Sequence, residues 1–202
     1  VMAVSSPSYV IRRLVQGSLT WLDWRRWAVT ASDVAAIAGL SPFATREQVM
    51  QQKLLGVNPV STYAMQRGNR LEPVARRRFE GLTRKDFPPV CVEQIDERWI
   101  RASLDGLSSD GEILELKAPN WQVHESALGG VVPDYYGAQV QWQLLTTGLD
   151  VAHFATITEH SKFVPTEQLA VVRLGPDAEL QAHLLEVGEI FYAELMRRKE
   201  EN

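Results

Sequence analysis

The chain has 202 residues and a formal net charge of −4; 45% of its residues are hydrophobic and 23% charged, a balance typical of a globular protein with a sizeable core. No apolar run is long enough to span a bilayer and none follows a basic start, so neither a membrane anchor nor a secretory signal is expected. The lone cysteine, Cys91, excludes an internal disulfide and a cysteine-built zinc cluster. Lying between Val90 and Val92, it reads as a buried structural residue of a cytoplasmic protein.

In chain order, the sequence predicts an irregular segment to about Gly17, then helices. Ser32-Asp33 opens an alanine-rich helix that stops at Gly39, and Thr45 with Glu47 and Gln48 opens another that ends near Gly56. A third helix is expected over 63–79, interrupted near Gly68 and Pro73. Strands follow at 90–94 and 99–104, then a turn at Ser108-Ser109-Asp110-Gly111 and a strand over 112–118. This predicts an antiparallel pair turning at Asp110-Gly111. An irregular stretch to about Val132 precedes a helix opened by Pro133-Asp134 and closed by Gly148. Strands at 151–157 and 169–174 and a helix over about 176–198 complete the chain. The order predicts one α/β domain over 1–202, a mixed central sheet flanked by helices: a helical part at about 18–80, a sheet core at about 88–174 and a C-terminal helix.

The acidic total weighs against a nucleic-acid partner. The arginines are clustered, however, at Arg12-Arg13, Arg25-Arg26 and from Arg67 to Arg78, and local patches matter more to a polyanion than the total does. Singly, each cluster reads as a solvated helix face.

The informative stretch is Leu104-Asp105-Gly106 followed by Glu115-Leu116-Lys117. On a strand, Glu115 and Lys117 project together and Leu116 points the other way. If the strands pair antiparallel, Asp105 comes near Glu115. Two carboxylates at one strand end suit Mg²⁺ or Mn²⁺, and the lysine can orient or deprotonate a water or stabilise developing charge. Alone, E-x-K is a common solvent-facing pair, but apolar residues on both faces of 113–116 predict a buried strand, where charges need partners or a metal. Glu72, in Gly68-Asn69-Arg70-Leu71-Glu72, and Gln139 with Gln141 are further polar candidates that read as ordinary helix faces when taken alone.

Asp105 with Glu115-x-Lys117 matches the signature of the PD-(D/E)XK nuclease superfamily, with Leu104 in place of its proline. The wider pattern runs Trp21…Arg25…Thr30-Ala31-Ser32-Asp33, Ala36 to Phe43, Gly68-x-x-x-Glu72, Leu104-Asp105-Gly106-Leu107, Glu115-Leu116-Lys117 and Gln139-Val140-Gln141. Over roughly 21–157 it resembles the lambda exonuclease family, the phage-type recombination (alkaline) exonucleases. The resemblance implies a nuclease that holds two Mg²⁺ ions, replaceable by Mn²⁺, through Asp105, Glu115, the Leu116 carbonyl and Glu72. Lys117 would contact the attacking water, and Gln139 would line the site. Arg25 and Ser32 would bind the 5′-phosphate of the digested strand, as a guanidinium and a hydroxyl beside a helix N-terminus could. It further implies 5′→3′ digestion of double-stranded DNA to mononucleotides, a homotrimeric ring and a single-strand annealing partner. Trp24, Trp121 (in an expected loop) and Tyr136 are candidate DNA contacts, although core packing is the simpler role for most aromatics. The alternatives are an endonuclease with the same core and a binding module that never cuts.

Overall fold

The computed structural model describes residues 8–57, 62–161 and 164–201. The stretch expected to be irregular contains an edge strand, β1 (Tyr9–Arg12). Its sequence, Tyr-Val-Ile-Arg, carries no apolar-polar alternation, and pairing with a later strand creates it. Helix α1 (Leu19–Arg26) starts where the Ser18 hydroxyl accepts from the Trp21 N–H. Strand β2 (Val29–Thr30) runs straight into α2 (Ala31–Ile37), so the N-cap is Thr30 and not Ser32. Asp33 closes that cap by accepting from the Thr30 N–H at 3.1 Å and its hydroxyl at 2.6 Å. Helix α3 (Arg46–Leu55) begins with the reciprocal Thr45–Gln48 box and ends at Gly56, whose φ of +66° suits glycine.

Helix α4 (Tyr63–Thr83) is continuous through Gly68 and Pro73, against the expected interruption. Pro73 and Asn69, whose carbonyl loses its helical partner, are both exposed, so water can replace the missing hydrogen bond. Leu71, Ala75 and Phe79, four residues apart, form the buried stripe of α4.

The remaining elements are β3 (Val90–Gln94), β4 (Ile100–Leu104), β5 (Gly106–Leu107), β6 (Glu112–Lys117), α5 (Trp121–Leu128), α6 (Asp134–Thr147), β7 (Val151–Thr156), β8 (Glu159–Ser161), β9 (Val164–Pro165), β10 (Ala170–Leu174) and α7 (Ala178–Glu200). The stretch after β6, expected to be irregular, holds α5, capped by the Asn120 side chain.

The strands form two mixed four-stranded sheets, in the orders β1-β3-β4-β2 and β10-β7-β6-β5, with β8-β9 as a separate pair. The expected central sheet is therefore divided, and Asp105 lies at the division. Strand β4 pairs with β3 and β2, whereas only the two residues of β5 run antiparallel to β6, as Gly106↔Leu114 and Leu107↔Ile113. Close packing explains the glycine after Asp105: a Cβ on Gly106 would lie 2.6 Å from the Phe87 Cβ.

Alternation along β6 divides its residues between two cores. Leu114 and Leu116 join Leu71, Ala75, Phe79 and Phe87 beneath α4. Ile113 joins the larger core around α2, α6 and α7, which includes Val34, Trp142 and Phe191. Strand β7 runs parallel to β6, so α5 and α6 lie in the crossover connecting them.

Candidate active site

Glu115 lies on the α6 side of β6 and is 1% exposed. A carboxylate there needs donors, and it has three. The Lys117 ammonium donates to Oε1, as does the Gln139 side-chain amide at 2.6 Å, while the Gln143 amide donates to Oε2. Gln139 and Gln143 are four residues apart on α6, hence on one face. Sequence reasoning missed Gln143; the i,i+4 spacing from Gln139 was the available signal. Gln141, expected beside Gln139, points elsewhere and ties α6 to the start of α7 through Gly175, Asp177 and Gln181.

Asp105 comes alongside from the break between the sheets. Its Oδ2 accepts from the Leu116 N–H at 2.7 Å. Because β5 pairs only as far as Leu114, this edge of β6 has no ladder partner at Leu116. A strand residue presents its N–H and C=O to the same edge, so the Leu116 carbonyl lies on the Asp105 side. Burial, then the Glu115 charge, push the Asp105 carboxyl up to about 8. Burial disfavours the Lys117 ammonium, but Glu115 and Asp105 outweigh it and hold that group above the usual lysine range. Tyr136 covers the ammonium, with its ring centroid 5.4 Å from Lys117 Nζ.

Glu72, on α4, is only half-buried and pairs with Arg76 at 2.9 Å. Arg76 also donates to the Asp105 and Phe87 carbonyls, so Glu72 reaches the acid pair through an arginine bridge. Among the described residues, no three His, Cys, Asp or Glu side chains gather into a ready metal-holding group. Asp105, Glu115 and the Leu116 carbonyl still offer hard oxygens in the small number that Mg²⁺ takes while keeping several waters. The upward shift of Asp105 fits the same need, since burial and the Glu115 charge both disfavour a second carboxylate by more than the Lys117 ammonium offsets.

Arg25 and Ser32 meet at a separate cleft of 590 Å³. The Arg25 guanidinium donates to the hydroxyls of Ser32 and Thr30 and lies 4.4 Å from the Trp21 ring centroid. Arg26 and Lys53 also line the cleft, with Asp23 and Asp33 as its acids. Helix α2 has only seven residues, so the case for an anion here rests on the side chains and not on the helix N-terminus. Trp24 donates its indole N–H to Glu93 and packs against Arg101. Trp121 is the first residue of α5 and not a loop residue, and it is 49% exposed.

This arrangement can be compared with known proteins. The model of the YqaJ-like viral recombinase domain matches residues 20–150. The chain belongs to this family. Comparison with curated protein sequences finds no match. Among solved structures, the YqaJ-like chain is similar to an alkaline exonuclease, LHK-Exo, from Laribacter hongkongensis, with 28% identity and a TM-score of 0.76, over 91% of this chain and 95% of that one. The structure of LHK-Exo in complex with dAMP gives 29% identity and a TM-score of 0.74 over the same shares. A phage-related exonuclease from Haemophilus somnus 129PT, at 16% identity and a TM-score of 0.56, covers 85% of this chain and 96% of its own and shares the fold. No described helix of the YqaJ-like chain is long and apolar enough to cross a membrane.

Proposed function

We propose that this nuclease of the YqaJ-like family is a Mg²⁺-dependent exonuclease that digests one strand of double-stranded DNA from 5′ to 3′. Such digestion releases mononucleotides and leaves 3′ tails for single-strand annealing. The observation that carries the reading is the convergence of Asp105, Glu115 and Lys117 at the break between the sheets, with Gln139 and Gln143 fixing Glu115. Asp105, Glu115 and the Leu116 carbonyl would hold the metal, with Glu72 serving a second ion, and Mn²⁺ suits the same oxygens. Bound there, divalent ions lower the pKa of water and offset charge on the leaving 3′-oxygen.

The chain's own groups do the positioning. Lys117 is held protonated by its carboxylate neighbours. Donating to Glu115 beside the oxygens that would hold the metal, it would orient the attacking water and meet charge developing on the phosphate. Gln139 and Gln143 donate to both oxygens of Glu115 and fix its plane. Tyr136 shields the ammonium from solvent, while exposed Trp121 offers a face for a base or strand end. Arg25 and Ser32 receive the terminal 5′-phosphate, an end-directed feature that favours an exonuclease over an endonuclease with the same core. We further propose a cytoplasmic homotrimeric ring, which would hold duplex by topology, and an annealing protein as partner.

The test is digestion of linear duplex with and without a 5′-phosphate, beside a covalently closed circle, in Mg²⁺ or EDTA. Metal-dependent loss of linear DNA, faster from phosphorylated ends, is expected. Cutting of the circle would replace the proposal with an endonuclease.

A further inference from the structure

The cleft holds a cation that the reaction scheme does not use. Lys53 is 7% exposed, a costly place for an ammonium without partners. Its Nζ donates to Asp33 at 2.8 Å and to the Arg25 backbone carbonyl at 3.0 Å. Asp33 has a second cation within reach, the Arg25 guanidinium at 3.7 Å. One carboxylate thus stands between two cations. Arg26 braces the same turn by donating to the carbonyls of Lys53 and Leu54.

This arrangement matters because Arg25 has two competing demands. A guanidinium that pairs closely with a buried carboxylate has little charge left for a ligand, and here the longer contact belongs to Arg25 and the shorter to Lys53. Arg25 instead reaches the Ser32 hydroxyl at the cleft. Arg25, Lys53 and Asp33 together carry a net charge of +1, and Lys53 leaves that charge on Arg25.

We propose that Lys53 is a positioning residue for recognition of a terminal phosphate: by neutralising Asp33 it keeps the Arg25 guanidinium available to the anion. The proposal rests on the reading of Arg25 and Ser32 as the 5′-phosphate pocket. It predicts that removing Lys53 turns Arg25 towards Asp33, and that removing the Asp33 charge as well releases it again. Asparagine at position 33 keeps an oxygen for the Thr30 N–H, so the α2 cap survives.

The experiment is equilibrium binding of fluorescent linear duplexes with 5′-phosphate or 5′-hydroxyl ends, in EDTA so that nothing is cut. It compares the unaltered protein with Lys53→Met, the double variant Asp33→Asn/Lys53→Met, and Arg25→Ala. The expected result is a preference for phosphorylated ends that falls roughly tenfold in Lys53→Met, the scale of one charge-assisted hydrogen bond, and returns in the double variant. A purely structural role for Lys53 would weaken binding to both ends alike, and Asp33→Asn would not rescue it. If Arg25→Ala abolishes the preference and Lys53→Met keeps it, the role of Lys53 is overturned and the pocket stands. If Arg25→Ala keeps the preference, the pocket and the role fall together. Should Lys53→Met fail to fold, the charge-balanced double variant decides alone: a folded double variant without the preference overturns the proposal.

Discussion

Asp105 and Asp33 are the same chemical group, each drawn into the protein near an arginine and a lysine, yet they respond in opposite directions. Burial and the neighbouring Glu115 push Asp105 up to about 8. Burial would raise Asp33 too, but Lys53 and Arg25 hold it below the ordinary carboxylate range. The cause is local stoichiometry. The first region has more carboxylate than cation, whereas the second has two cations around one carboxylate. The charge balance of the first suits the cation proposed for it, and that of the second the proposed terminal phosphate. A chain with a net charge of −4 can thus serve a polyanion, because it separates its charges into sites.

The sharpest way to break this contrast is to remove one acid from the carboxylate-rich region. Asp105→Ala is expected to lower digestion of linear duplex by about 10³-fold or more, since it deletes both an oxygen proposed to hold the metal and the acceptor for the Leu116 N–H. Duplex binding measured in EDTA should remain. Activity within tenfold of the unaltered protein would remove Asp105 from the assigned site. Next in size is Arg25→Ala, expected to slow digestion of 5′-phosphorylated ends by about 10-fold to 100-fold while leaving 5′-hydroxyl ends nearly unchanged. Equal slowing of both ends would mean that the cleft contributes to folding alone.

A smaller effect concerns pH. The folded-state pKa of Asp105, about 8, is raised above its unfolded value of about 3.9. Its contribution to stability is full below pH 4 and is lost as pH rises through 8. The metal-free protein should therefore gain more Tm from Mg²⁺ at pH 8.5 than at pH 6, by a few degrees, in thermal scans. Asp105→Asn should erase that difference, and a Mg²⁺ gain independent of pH would contradict the assignment. The least functional effect is expected from Gly188→Ala. A Cβ there would meet the Trp142 ring at 2.8 Å, so overpacking should cost about 1–3 kcal/mol in chemical denaturation. Both the rate and the end preference should persist at 25 °C, because Trp142 belongs to the core and to neither site.

Legibility differed between the regions for physical reasons. The strand Glu112–Lys117 and its burial on two faces were readable, because apolar residues occupied both parities of the strand. Thr45 and Gly56 marked the ends of α3 through local capping chemistry. By contrast, β1 and the sheet that draws β4 away from β6 depend on partners far away in sequence, Arg12 with Cys91 and Val29 with Ile100; no local pattern carries them. Pro73 misled because its usual helix-breaking cost is small on an exposed face. At the sites, Asp105, Glu115 and Lys117 carry a spacing that can be read. Lys53 gave no signal, since a lysine in an amphipathic helix reads as solvated until its burial is known.

One feature of the fold bears on how the protein is made. Glu115 rests on amides supplied by Gln139 and Gln143, some two dozen residues further along the chain, and β6 must pair with β7 beyond them. A polypeptide emerging from the ribosome up to Lys117 carries both acids and the lysine, but not the helix that holds them in register. A synthesis product truncated before α6 would therefore be disarmed. The cell would receive cutting power only from chains extended through α6 and β7, and the protein's own topology would act as the safety catch.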